Sequence, residues 1–173
     1  MMKSLLVSML GVLAFTTGMF AGGTMQIKDY NVEFSQGGWF GQMDENFSMV
    51  LKSRAELDNF INQIMSEYMR DDAIVPEGYW TQMESQVREF YAKYDTKFFE
   101  QNDLVLALVD RGSGSVRYEL GDLAIDDGHI IANVTRISGM IMTMDYVEWV
   151  MMLEINKSYN TQGINIILES KIV

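Results

Sequence analysis

Apolar and polar positions along the chain change period near its middle. In "FSMVLKSRAELDNFINQIMSEYM" a short strand over residues 47–52 gives way to helical spacing. Ser53 stands three residues before Glu56, the spacing at which a serine caps a helix and a glutamate reaches back. Leu57, Phe60, Ile61, Ile64 and Tyr68 then recur on one face, which predicts a helix over 54–69. Pro76 and Gly78 interrupt regular structure. Thr81 and Glu84 repeat the capping spacing, and Val87, Phe90, Tyr91 and Tyr94 continue a helical face to residue 94. Asp95 caps a last turn, "TKFFEQN", in which Phe98 and Phe99 bury.

Beyond residue 102 the period is that of strands. "DLVLALVD" is apolar on both faces, as a central strand is. "SVRYEL" alternates, with Val116, Tyr118 and Leu120 opposite Arg117 and Glu119. The apolar phase then slips to Leu123 and Ile125, which predicts a bulge at Gly121. Asp127-Gly128 signals a hairpin, "HIIANVTRI" follows as a strand, and "DYVEWVMMLEINK" turns Val147, Trp149, Met151, Leu153 and Ile155 to one face. "INIILES" completes five strands, read as an antiparallel meander. The fold class expected is α+β, with N-terminal helices packed on a five-stranded, mainly antiparallel sheet. Residues 22–46 read as a flexible lead-in segment with one short strand over 28–34, and Trp39 and Phe40 sit there among glycines.

The first 21 residues look different from the rest. Lys3, the apolar run "LLVSMLGVLAF" and the small residues around Ala21 and Gly22 have the order of an export signal. The run is too short for a membrane span; the alternative is an uncleaved N-terminal anchor. Exported, periplasmic or extracellular location is therefore expected, in a bacterial setting. Loss of residues 1–21 removes Lys3 and no acid, taking the net charge from −11 to −12. An acidic surface of this kind repels nucleic acid and anionic lipid and favours solubility or a basic protein partner. Cysteine is absent from all 173 residues, which excludes disulfides, zinc-thiolate sites, a cysteine nucleophile and a lipidated cysteine.

Candidate chemistry is sparse. "DRGSGSVRYEL" carries the glycines of a phosphate loop, but such a loop leads from a strand into a helix and ends in Lys-Ser or Lys-Thr. Here the stretch joins two strands. It reads as a hairpin turn, with Gly112 and Gly114 supplying positive φ and Ser113 at an exposed tip. His129 is the sole histidine and follows a turn, without a Gly-x-Ser-x-Gly elbow elsewhere. Met140, Met142 and Met144 alternate in "GMIMTMD", and three thioethers on one face could take Cu(I); core filling accounts for a chain with 15 methionines equally well. Asp71-Asp72 and Asp126-Asp127 lack the offsets of a calcium loop. Arg117, Arg136 and Asp145 are placed to form one ion-pair network across the sheet, or to meet a partner's charges. No catalytic residue, cofactor or metal ligand emerges.

"YDTKFFEQNDLVLALVDRGSGSVRYEL" and "MTMDYVEWVMMLEINK" resemble blocks of bacterial exported domains named after PrcB, the accessory subunit of a surface protease complex. The resemblance covers residues 47–170 and carries on to the domain 47–173. It implies a non-catalytic domain that binds or stabilises a protease, with Gly112, Gly114, Arg117, Asp145 and Trp149 matching its turns and strand ends. Relatives often carry a lipid-anchor cysteine, which this chain lacks. The function expected is protein binding, as a protease-associated accessory or stabilising subunit, with candidate partner contacts at Ser113, Arg117, Arg136, Asp145 and Trp149. The alternative is a small-ligand or copper-binding envelope protein.

Overall fold

The computed structural model describes residues 24–36, 47–68, 79–140, 143 and 145–173, with 67, 68 and 79–83 described by backbone alone. Residues 1–21, expected to be an export signal, and Trp39, Phe40, Asp71, Asp72, Pro76, Gly78, Met142 and Met144 lie outside them.

Eight strands among the described residues form two four-stranded sheets. They are β1 (Met25–Gln26), β2 (Tyr30–Gln36), β3 (Ser48–Leu51), β4 (Asn102–Gly112), β5 (Arg117–Asp126), β6 (His129–Ser138), β7 (Val147–Asn156) and β8 (Gly163–Ile172). Three helices, α1 (Arg54–Tyr68), α2 (Tyr79–Lys93) and α3 (Thr96–Gln101), lie between β3 and β4 in the chain. One sheet runs β1-β5-β6-β8 and the other β2-β7-β4-β3.

This corrects the expected architecture. There is no five-stranded meander, and the helices do not precede the sheet: strands come first, and strand outweighs helix. β4 and β5, expected to pair as a hairpin, belong to different sheets. β8 runs parallel to β6, because the chain crosses from the other sheet after β7. The lead-in segment is part of the fold from residue 25 on. β1 pairs with β5, β2 pairs with β7 over seven residues, and Ile27 between them is buried.

The two-sided apolar character of "DLVLALVD" now has a cause. Val105 and Ala107, with Met151 and Leu153 of the neighbouring β7, face the other sheet and share a core with Ile130, Ala132 and Val134 of β6. Leu104 and Leu106 face the opposite way and, with Val150 and Met152, form the floor on which the helices sit. Leu57, Phe60, Ile64, Val87, Phe90, Tyr94 and Phe99 complete that second core. The molecule is therefore layered sheet, sheet, helices, with an apolar core in each interval.

Local signals hold well. Ser53 Oγ accepts from Glu56 N at 3.2 Å, and Glu56 reaches back to Lys52 N–H at 2.6 Å. Asp95 caps α3 through Phe98 N at 2.9 Å. Asp127 and Gly128, with φ of 46° and 76°, form the β5–β6 hairpin turn. The β5 register slips between Leu120 and Leu123, at the expected bulge. α2 starts at Tyr79, ahead of the start that the Thr81–Glu84 spacing predicts. The two long helices are tied by Arg54, which donates to Tyr91 O at 2.7 Å and Tyr94 O at 2.5 Å. Its charge thus sits at the carbonyl end of α2, where a cation is favoured.

Candidate functional site

A second bulge decides what stands at one end of the sandwich. The β4–β7 register shifts between Leu108 and Asp110. Upstream, odd-numbered residues of β4 face the other sheet; after the bulge Asp110, paired with Trp149, does so instead. The Asp110 carboxylate accepts from Tyr118 Oη at 2.8 Å, and Arg136 Nη1 lies 3.3 Å from it. Tyr118 and Arg136 are register partners on β5 and β6, so this trio joins the two sheets. Burial, then the Asp110 carboxylate, holds the Tyr118 phenol well above its ordinary pKa. The Tyr118 ring packs 5.3 Å from the Trp149 ring and 5.8 Å from that of Phe34. Gly112 leaves room for the Arg136 guanidinium, since a β-carbon there would lie 3.3 Å from Nη2.

From Gly112 the chain crosses to the other sheet through Ser113, Gly114 and Ser115. Gly128 is the glycine with positive φ among the described residues, so Gly112 and Gly114 are not there for that reason. The turn passes between sheets and does not reverse within one, so a tight hairpin geometry is not demanded. Gly114 serves close approach instead: a β-carbon would overlap the Asp145 carboxylate and lie 3.4 Å from Gln36 Nε2.

Ser113 is not an exposed tip. It is 7% exposed, and its hydroxyl is the hub of a network. Its Oγ lies 2.8 Å from Ser115 Oγ, 2.6 Å from Thr143 Oγ1 and 3.2 Å from Asp145 Oδ1. It also accepts from Ser115 N–H at 3.2 Å. Thr143 donates its hydroxyl to Asp145 and its N–H to Ser115 Oγ. Trp149 Nε1 donates to Ser113 O, and Gln36 Nε2 to Gly114 O. The Thr143 hydroxyl above all holds the Asp145 carboxyl below the usual carboxylate range; against some desolvation, the Gly114 and Asp145 N–H groups and the Ser113 hydroxyl add to it. The turn of residues 113–115 is thereby clipped to the segment that leads into β7.

Of the residues singled out in the sequence, Ser113, Asp145 and Trp149 meet here, and Arg136 lies beneath them. The expected network of Arg117, Arg136 and Asp145 does not form. Arg117 is exposed on the outer face of β5, and Arg136 pairs with Asp110. Ser115, Thr143, Asp110 and Tyr118 were missed. The signal for the first two was short polar residues, Ser-x-Ser and Thr-x-Asp, in two loops at one end of the fold. Tyr146, which follows Asp145 in the chain, is 73% exposed, and Met140, just beyond the end of β6, is 90% exposed.

Chemically, this network spends its groups on one another. A serine nucleophile is activated by an adjacent general base; here the carboxylate next to Ser113 is Asp145, which also accepts from Thr143. His129 stands far along the fold, exposed at the β5–β6 turn, with Nδ1 3.1 Å from Asp127 O. Among the described residues no group of three or more His, Asp or Glu side chains could hold a metal, and no helix is long and apolar enough to cross a membrane. A shallow polar groove beside Lys28, Tyr30, Asn102 and Glu154 opens at another edge. Comparisons with protein-family models, curated proteins and solved structures give no match to this chain.

Proposed function

We propose that the chain is an exported, non-catalytic protein-binding domain, and that the clipped end of the sandwich is its contact. The observation that carries this reading is the juxtaposition of a hydrogen-bonded polar clip with the large exposed side chain of Tyr146. Tyr146 stands in solvent next to Asp145 in the chain, directly after the residues by which the segment is held, Thr143 and Asp145; Met140, earlier in the chain, is exposed as well. An aromatic side chain held on a rigid base loses little entropy on binding, which suits it to anchor an interface. Asp145 and the outward-facing Arg117 supply charges of both signs for a polar rim. The sequence resemblance to PrcB-like domains gives the reading its specific form, an accessory or stabilising subunit of a protease. The export signal places the encounter outside the cytoplasm, and cleavage predicts a mature N-terminus near Gly22.

The test is capture from the native envelope with tagged full chain, comparing the parent with the pair Met140→Ser/Tyr146→Ser. A partner identified by mass spectrometry that is retained by the parent and lost by the folded variant supports the reading. Equal retention by both sinks this face as the contact. Turnover of a peptide or ester substrate, or Cu(I) binding lost on changing Met140, Met142 and Met144 to Leu, would favour a catalytic or copper-binding protein instead.

A further inference from the structure

β8 lies at the edge of its sheet, with β6 its only strand neighbour among the described residues. Its first half is covered: Ile164 is buried and Ile166 packs on the core. Its second half runs on with apolar residues open to solvent, Leu168 on the inner face and Ile167 on the outer, and Ile172 is 74% exposed. Val173 N–H donates to Ser138 O, so in this parallel ladder the odd-numbered residues turn their backbone groups to β6. Leu168, Ser170 and Ile172 therefore point their N–H and C=O groups at the open side. A long edge of this kind is ready to pair with another strand unless charge blocks it. Lys171 is the charge that would do so, but Glu169 stands two residues away on the same face.

The geometry points to a second copy of this chain as the occupant, docked by antiparallel pairing of β8 with itself across a two-fold axis at Ser170. Direct opposition requires partners on the same face, which permits only registers of one parity. Among these, the register centred on Ser170 sets Glu169 opposite Lys171 of the second copy, and Leu168 opposite its Ile172. Shifting the centre by one residue sets Glu169 against Glu169, or Lys171 against Lys171, which is unfavourable. In the Ser170 register the even-numbered pairs are the hydrogen-bonded ones, giving about six new backbone bonds. The Glu169–Lys171 pairs fall at the non-hydrogen-bonded positions, where side chains come closest. Inner-face Leu168 and Ile172 then cover one another. The two sheets join into one of eight strands, by a contact in which each copy contributes the same surface. This inference is independent of the clipped end and of what binds there.

The test uses the full chain, purified as the expressing cell leaves it, in sedimentation equilibrium over a range of concentrations. The parent should dimerise reversibly. Glu169→Lys and Lys171→Glu should each weaken the dimer by about tenfold or more, since each reversal acts on both sides of the axis. The double reversal Glu169→Lys/Lys171→Glu should restore the parental affinity. Ser170→Cys, the only thiol in its chain, should cross-link on mild oxidation, because paired α-carbons there are about 5.5 Å apart. Asn165→Cys should not. A parent that stays monomeric, single reversals without effect, a double reversal that fails to restore, or equal cross-linking at 165 and 170 would each overturn the proposal.

Discussion

Replacing Ser113 by alanine removes the hub of the clip while adding no bulk. The hydroxyl interacts with Ser115 Oγ, Thr143 Oγ1 and the Ser115 N–H, at 2.6 to 3.2 Å, from a site only 7% exposed. Ser115 and Thr143 are themselves exposed, so water can replace part of what they lose. A buried donor or acceptor left without its partner costs about 1–3 kcal/mol, and partial rehydration moves the expected loss to about 1–2 kcal/mol. For a chain of this length that is a fall in melting temperature of roughly 2–8 °C. Urea denaturation should show a lower midpoint with an unchanged slope, since the surface exposed on unfolding is the same. Thr143→Val should cost less than additively when combined with Ser113→Ala, because both remove the same 2.6 Å contact. A Ser113→Ala chain whose stability stays within about 0.5 kcal/mol of the parent would behave as a solvated surface site. The clip, and the burial of Ser113 on which it rests, would then be refuted.

Met151 is fully buried between the two sheets, and Met151→Ala should cost about 2–5 kcal/mol in the same denaturation assay. The Tyr118 phenol should titrate well above the ordinary value of 10.0, as read by phenolate absorbance and assigned with Tyr118→Phe. Because its folded pKa is raised, the stability it contributes is present below pH 10 and lost as pH rises through the folded value; the Phe variant should lack that alkaline loss. The Asp145 carboxyl is shifted the other way, so its contribution is present above the ordinary value of 3.8 and lost as pH falls through the folded one. Urea midpoints measured from neutral pH into acid should therefore show parent and Asp145→Asn converging at the acid end.

Local chemistry was legible in the sequence because each signal acts within a few residues. The Ser53–Glu56 and Asp95 caps, the Asp127-Gly128 turn and the Gly121 bulge need no knowledge of the rest of the chain. Sheet membership was not legible. Alternation in "SVRYEL" says that one face is buried, but a face packed on an opposing sheet and a strand paired with its neighbour give the same pattern. Hence β4 and β5 read as a hairpin, and Gly112 and Gly114 were assigned a positive φ they do not have. The β4 bulge carries no glycine or proline, so nothing marked Asp110 as turning inward to Tyr118 and Arg136. β1 was hidden by its two-residue length; β2 answers to the short strand expected over 28–34, but its pairing with β7 was not legible. At the candidate site, Thr143 and Ser113 are separated by 30 positions and meet only because the chain changes sheets between β4 and β5.

The central claim is that the hydroxyls and carboxylate of the clip hold the fold and do not perform chemistry. Reaction with a fluorophosphonate probe tests it most directly, because such reagents label serines activated by a neighbouring base. The intact chain should show no adduct at Ser113, Ser115 or Thr143 by mass spectrometry, at concentrations that label a serine hydrolase to completion. An adduct at Ser113 that forms in the folded protein, disappears on urea unfolding and is absent from Ser113→Ala would mean that the network activates a nucleophile, and would contradict the account.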